Sequence, residues 1–121
     1  MPSENAILRL EDILENIGLI EDYTRDYSHK IFVQERKTQD AVERCLLRIS
    51  EAAKKLEGSV DAMMPDQPWS AIRAVGNILR HEYDRVDPDV IWRIVRNDLS
   101  SLKSAVAATL DKLRSKFANP S

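Results

Sequence analysis

A short segment of the sequence, GNILRHEYDRVDP from Gly76 to Pro88, concentrates side chains that can bind phosphate and move protons. His81 can exchange a proton near neutral pH, and Arg80 can donate two parallel hydrogen bonds to phosphate oxygens. On a helix that advances about 100° per residue, Arg73 and Asn77 share one face with His81. Such a face can stabilise a phosphodiester while a ribose 2′-hydroxyl attacks its own phosphate, which predicts RNA cleavage without a metal ion.

The same face has a simpler interpretation as a solvated helix surface. Polar residues on one side of a helix most often only contact water, and an arginine next to a histidine is common by chance. Gly76 lies on this face and would let a backbone or a ligand approach the helix closely. Spacing alone leaves both the catalytic and the surface interpretation open.

Length, composition and charge limit the possible classes of protein. The chain has 121 residues, of which 43% are hydrophobic and 31% are charged, so we expect one domain over residues 1–121. The formal net charge is -2. This value does not drive binding to nucleic acid, so any RNA contact must come from a local cationic patch.

The sequence contains no recognisable targeting segment, disulfide pair or metal-binding motif. The sequence has no membrane span, and its first residues, MPSENAILRL, lack the regions of a signal peptide, which predicts a cytoplasmic protein. The single cysteine, Cys45, cannot form an internal disulfide and is expected in the core. The histidines and acids show no metal-ligand spacing, so we expect no metal and no cofactor. Trp69 and Trp92 are expected in the core or at a dimer interface.

Apolar residues recur at spacings of three and four, which predicts an all-α, up-and-down bundle of four to five helices. The first helix is expected from a Ser3 cap to near Tyr23, followed by a short helical connector in SHKIFVQERK. A long third helix carries the stripe from Val42 to Leu56 and ends at Gly58.

The second half of the chain predicts two more helices after a loop or helical turn around Met63 and Met64. The helix with the polar face runs from Trp69 to about Tyr83. The last helix is capped by Asp87 with Pro88 at its first position, carries a buried stripe from Ile91 through Val95 to Leu113, and frays from about residue 115.

Two long stretches of the chain resemble the HepT family of HEPN-domain proteins. They are RKTQDAVERCLLRISEAAKKL (36–56) and PWSAIRAVGNILRHEYDRVDPDVIWRIVRNDL (68–99). The resemblance covers nearly the whole chain. It implies a helical homodimer in which two motif-bearing helices form a composite, metal-independent ribonuclease site acting on RNA and not on DNA. It also implies a toxin whose antitoxin partner is a minimal nucleotidyltransferase.

The family motif places an arginine before a polar residue, then a histidine, then a tyrosine two residues later. Asn77, His81 and Tyr83 match the last three positions, and Gly76 stands where the arginine is usual. Arg73 or Arg80, one turn to either side, can supply a guanidinium instead. The resemblance implies that Tyr83 receives AMP from the partner enzyme, which silences the toxin.

The glycine at the arginine position leaves a second hypothesis from another class. In it the same polar groove holds a nucleotide, or docks the nucleotidyltransferase, without cleaving RNA. The effect of His81→Ala on toxicity distinguishes the two hypotheses.

Overall fold

The computed structural model describes residues 4–81 and 86–118, and within them it contains helices and no β-strand. The elements are α1 (Glu4–Thr24), α2 (His29–Phe32), α3 (Arg36–Lys55), a 3₁₀ turn (Asp61–Met63), α4 (Trp69–His81), α5 (Pro88–Arg93), a π-helical segment (Ile94–Asp98) and α6 (Leu99–Ala118). The predicted all-α class is confirmed, as are the two long helices of the first half and the short helical connector between them.

The core lies where α3 packs against α1 on one side and against α4 on the other, while α1 also packs against α6. The apolar positions predicted from the helical period fill it. Fully buried members include Leu10, Ile17, Ile20, Val42 and Val106. Cys45 is buried among them, as predicted, and this burial raises the pKa of its thiol. Trp69 and Trp92 are both buried as well.

Helix α3 contacts both α1 and α4. It follows a cluster of side-chain hydrogen bonds and precedes a glycine turn. Just before it, the Glu35 carboxylate accepts hydrogen bonds from the Thr38 and Tyr27 hydroxyls, and these bonds lower the pKa of Glu35. After the helix, Gly58 adopts a positive φ of 75°, a conformation that suits glycine because it lacks a Cβ. The predicted stop near Gly58 is therefore confirmed, although the helix itself ends at Lys55 with Leu56 as its C-cap.

The last helix differs from the prediction. Asp87 caps it by accepting a hydrogen bond from the Asp89 backbone N–H at 2.9 Å, and Pro88 occupies the first turn, as predicted. The predicted uninterrupted helix was wrong, because a π-helical segment (Ile94–Asp98) separates α5 from α6 and leaves Val95 only half-buried. A π turn holds one extra residue, so it shifts the register of the apolar stripe. Helix α6 then continues through Ala118, into the segment expected to fray.

None of the helices in the described part of the chain is long and apolar enough to cross a membrane.

Candidate functional site

The polar face of α4 lies against α3, and Ser50 is the centre of this contact. The Ser50 hydroxyl donates to the Arg73 carbonyl oxygen at 2.9 Å and accepts from the Gly76 backbone N–H at 3.0 Å. Ser50 is completely buried. A buried hydroxyl needs hydrogen-bond partners, and here both come from the backbone of the facing helix.

This contact explains the glycine in the motif. A Cβ at position 76 would lie 2.4 Å from the Ser50 Oγ and 2.9 Å from its Cβ, both too short for nonbonded atoms. Position 76 is buried against α3. The close approach that the glycine was predicted to permit is therefore made by the side chain of Ser50, and an arginine at this position would force Ser50 or one of the two helices to shift.

Arg73, one turn earlier, is bound by acceptors of the protein itself. Its Nε donates to the Ala53 carbonyl at 2.9 Å and its Nη2 to the Asp61 carboxylate at 2.8 Å. The guanidinium also lies over the Trp69 ring, 5.6 Å from its centroid. Its hydrogen bond to Asp61 is the main cause that lowers the pKa of that carboxyl. Arg73 therefore ties α4 to the end of α3 and to the loop that follows it.

Arg80, one turn after Gly76, turns back over the glycine. Its Nη2 lies 3.5 Å from the position that a Cβ of residue 76 would occupy, and the same nitrogen forms an ion pair with Glu51 of α3. The Arg80 side chain is 39% exposed and that of Glu51 is 44% exposed. Exposed ion pairs are weak, so an incoming phosphate can compete with Glu51 for this guanidinium.

Asn77 and Lys54 complete the contact between the two helices. The Lys54 Nζ donates to the Asn77 Oδ1 at 3.2 Å and lies 3.9 Å from Glu51. Lys54 and Glu51 did not stand out in the sequence, because a lysine and a glutamate three residues apart are typical of any helix surface. Only the packing of α3 on α4 shows that they face the predicted site.

His81 is the last residue of α4 and is exposed to solvent. Within the described part of the chain, no residue is hydrogen-bonded to its ring. Tyr83, the predicted site of modification, lies outside the described residues. Of the four residues predicted as catalytic, the structure thus places Asn77, Arg80 and His81 on the accessible end of α4, while Arg73 is enclosed by its own contacts.

Together the fold and this face define a helical bundle that presents a cationic cluster and an exposed histidine at one helix end. Comparison of the sequence with known families agrees with this class. The sequence model of the family described as "Ribonuclease HepT-like" matches residues 13–109. The protein belongs to this family.

Individual relatives support the assignment. A protein of Thermococcus cleftensis named "Probable ribonuclease HepT" is 40% identical over 94 residues, which cover 78% of this chain and 86% of the relative. A protein of Methanocaldococcus jannaschii, likewise named as an RNase, is 37% identical over 97 residues, 80% of each chain. A second such protein of that organism is 31% identical over 97 residues, covering 80% of this chain and 89% of the relative. No solved structure gives a significant match.

Proposed function

We propose that this protein is an endoribonuclease that cleaves RNA at the exposed end of α4. The observation that carries this proposal is the position of Arg80, whose guanidinium lies beside Gly76, next to the place where the family's usual arginine would begin. The family membership and the relatives named as RNases support the choice of RNA as substrate.

The proposed reaction is transesterification within the RNA strand. His81 takes the proton of a ribose 2′-hydroxyl, whose oxygen then attacks the neighbouring phosphorus. The bond to the 5′-oxygen breaks, and this oxygen takes a proton from a protonated His81, leaving a 2′,3′-cyclic phosphate and a 5′-hydroxyl. Arg80 stabilises the charge that develops on the nonbridging oxygens, while Asn77 positions the strand through its amide. The side chains supply all of these functions without a metal ion.

The active unit in this proposal is a homodimer with a composite site. Ile78, between Asn77 and Leu79 on α4, is 47% exposed and adjoins the polar cluster. A second copy that covers Ile78 would bring two His81 side chains towards the same RNA. Light scattering should show a dimer at micromolar concentration, and Ile78→Glu should produce monomers; a wild-type monomer would contradict the composite site.

The proposed biological role is that of a cytoplasmic toxin controlled by a nucleotidyltransferase antitoxin. Transfer of AMP to the Tyr83 hydroxyl would place a phosphate near Arg80 and His81 and compete with the RNA backbone for the same donors. Incubation with the partner enzyme and ATP should add AMP to the protein, as measured by mass spectrometry, and Tyr83→Phe should prevent the addition. Cleavage by the modified protein at the unmodified rate would contradict this form of control.

A second candidate function is binding without cleavage. It is favoured by the fit of Gly76 against Ser50, which leaves no room for an arginine without a shift of the packing, and by the enclosure of Arg73. In this alternative, the same surface holds a nucleotide or docks the nucleotidyltransferase.

The deciding experiment compares RNA cleavage by the wild-type protein and His81→Ala in the presence of a chelator. The ribonuclease proposal expects cleavage in chelator and a loss of about 100-fold or more on substitution, since a general acid or base contributes that much. His29→Ala is the matched control, because His29 is also exposed but lies on α2, where it pairs with Asp89 of α5. Equal activity of wild type and His81→Ala would favour the binding function.

A further inference from the structure

A second polar surface lies in a groove between α1 and α3. The groove has a volume of about 450 Å³, and the two helices supply all its walls within the described part of the chain. Arg44, Arg48 and Lys55 of α3 line it, together with Asn16 of α1. Glu51 also lines it, and because Glu51 pairs with Arg80, the groove borders the site on α4.

The cations of this groove are available to a ligand. Among the described residues, no carboxylate forms an ion pair with Arg44, Arg48 or Lys55. Two acids of the groove already have cationic partners, because Asp12 lies 3.7 Å from Arg9, and Glu51 pairs with Arg80. Glu15 is a third acid of the lining, against the four cations Arg9, Arg44, Arg48 and Lys55, so the groove carries a net charge of +1 in a protein whose formal net charge is -2.

Asn16 adds a separate observation that points to a ligand. This residue is only 6% exposed, and its amide nitrogen donates to the Asp12 carbonyl at 2.8 Å. Its Oδ1 is buried and accepts no hydrogen bond from any group of the described chain. A buried acceptor without a donor is unfavourable, so a ligand in the groove that offers an N–H or O–H favours turning this amide oxygen towards the groove to meet it.

We propose that this groove binds the segment of single-stranded RNA next to the cleaved bond. Arg48 and Lys55 contact its phosphates, and Asn16 accepts a hydrogen bond from a ribose hydroxyl or a base amino group. On α3, Arg44 and Lys55 are eleven residues apart, about 16 Å along the helix axis, so the cations follow an extended strand and not a single phosphate. The inference rests on the proposed ribonuclease function, because Glu51 joins the groove to the Arg80 site.

The test measures binding of a labelled single-stranded oligoribonucleotide by fluorescence anisotropy, in a His81→Ala background so that the RNA stays intact. Arg48→Gln combined with Lys55→Gln should weaken binding about tenfold and reduce the salt dependence by about two phosphate contacts. The matched control is Lys112→Gln with Lys116→Gln, which removes the same charge from α6, outside the groove. Equal losses from the two pairs would overturn the groove as a specific site.

Asn16→Leu tests the buried acceptor. We expect weaker RNA binding, with a melting temperature equal to or above that of the parent, because leucine removes an unpaired polar group while filling similar space. Unchanged RNA binding by this folded variant would show that Asn16 does not contact the RNA. If Asn16→Leu does not fold, the charge variants still decide the role of the groove.

Cleavage assays with His81 intact separate this inference from the proposed function. Wild-type cleavage with an unchanged KM in the Arg48→Gln, Lys55→Gln variant would overturn the groove and leave the ribonuclease intact. If the wild-type protein does not cleave RNA, the ribonuclease proposal is contradicted. The anisotropy measurements of RNA binding would still test the groove. If equimolar AMP displaces the RNA, the groove is a mononucleotide site. If the Arg48→Gln, Lys55→Gln variant still binds RNA but no longer binds the nucleotidyltransferase, the groove is a protein interface. Either result overturns strand binding.

Discussion

The two halves of α4 carry similar polar side chains in very different surroundings. In the first half, Arg73 is 14% exposed and bonded to Asp61 and to the Ala53 carbonyl. In the second half, Arg80 is 39% exposed, and its ion pair with Glu51 is open to solvent. Helical spacing places both arginines near one face, but the neighbours from elsewhere in the chain decide which guanidinium stabilises the fold and which remains available to a substrate.

The largest effect should come from the exposed half. Arg80→Gln should reduce RNA cleavage about 100-fold, the loss typical of removing one donor that stabilises a transition-state charge, with little change in melting temperature. Steady-state kinetics with a defined RNA measure the first effect and thermal unfolding the second. Arg114→Gln, at another exposed ion pair, is the control and should leave cleavage unchanged. An Arg80→Gln protein that cleaves normally would mean that another cation supplies the charge.

The buried half should show the opposite pattern. Arg73→Met should lower the free energy of unfolding by about 2 kcal/mol, because it leaves the Asp61 carboxylate and the Ala53 carbonyl without their charged donor. Chemical denaturation gives this value. Cleavage per folded molecule should remain near wild type. A large loss of cleavage by a fully folded Arg73→Met protein would break the division between the two halves.

The glycine between the halves should behave differently from a glycine in open space. Gly76→Ala should destabilise the protein by about 1–3 kcal/mol, since its Cβ would overlap Ser50. A Cβ on Gly18 would meet no heavy atom of the described residues within 4 Å, apart from its two chain neighbours and the backbone of α1. Gly18→Ala should therefore stabilise by about 0.5–1 kcal/mol through helix propensity. Thermal unfolding of both variants tests the contrast. If both alanines stabilise the protein, the contact between α3 and α4 adjusts to the added Cβ without cost.

The smallest expected effect is on the stability of the protein at acidic pH. The Arg73 hydrogen bond lowers the pKa of Asp61 below its ordinary value of 3.8, so the folded state binds this proton less readily than the unfolded state does. The resulting stability is complete above about pH 5 and is lost as the pH falls through the lowered pKa. Asp61→Asn should therefore flatten the loss of melting temperature between about pH 5 and pH 2. Identical pH profiles for wild type and Asp61→Asn would contradict the ion pair.

Much of the helical organisation could be predicted from local signals. Apolar spacing located α1 and α3, and Gly58, Asp87 and Pro88 marked helix ends, because each signal acts within a few residues of the backbone it affects. The π-helical segment was not predictable in this way. Its sequence, IVRND, holds no glycine or proline that would mark an interruption. The extra residue in its turn adjusts the register of two helices that pack on the rest of the bundle.

For the site, the sequence by itself determined the chemical types on α4, including Asn77, Arg80 and His81 on its polar side and a glycine among them. It did not determine which of these groups are free to meet a substrate. The tertiary structure decided that Ser50, 26 residues before Gly76, fills the space where a side chain would begin, and that Asp61 binds Arg73. Those partners come from α3 and its following loop, and helical periodicity on α4 carries no information about what packs against it.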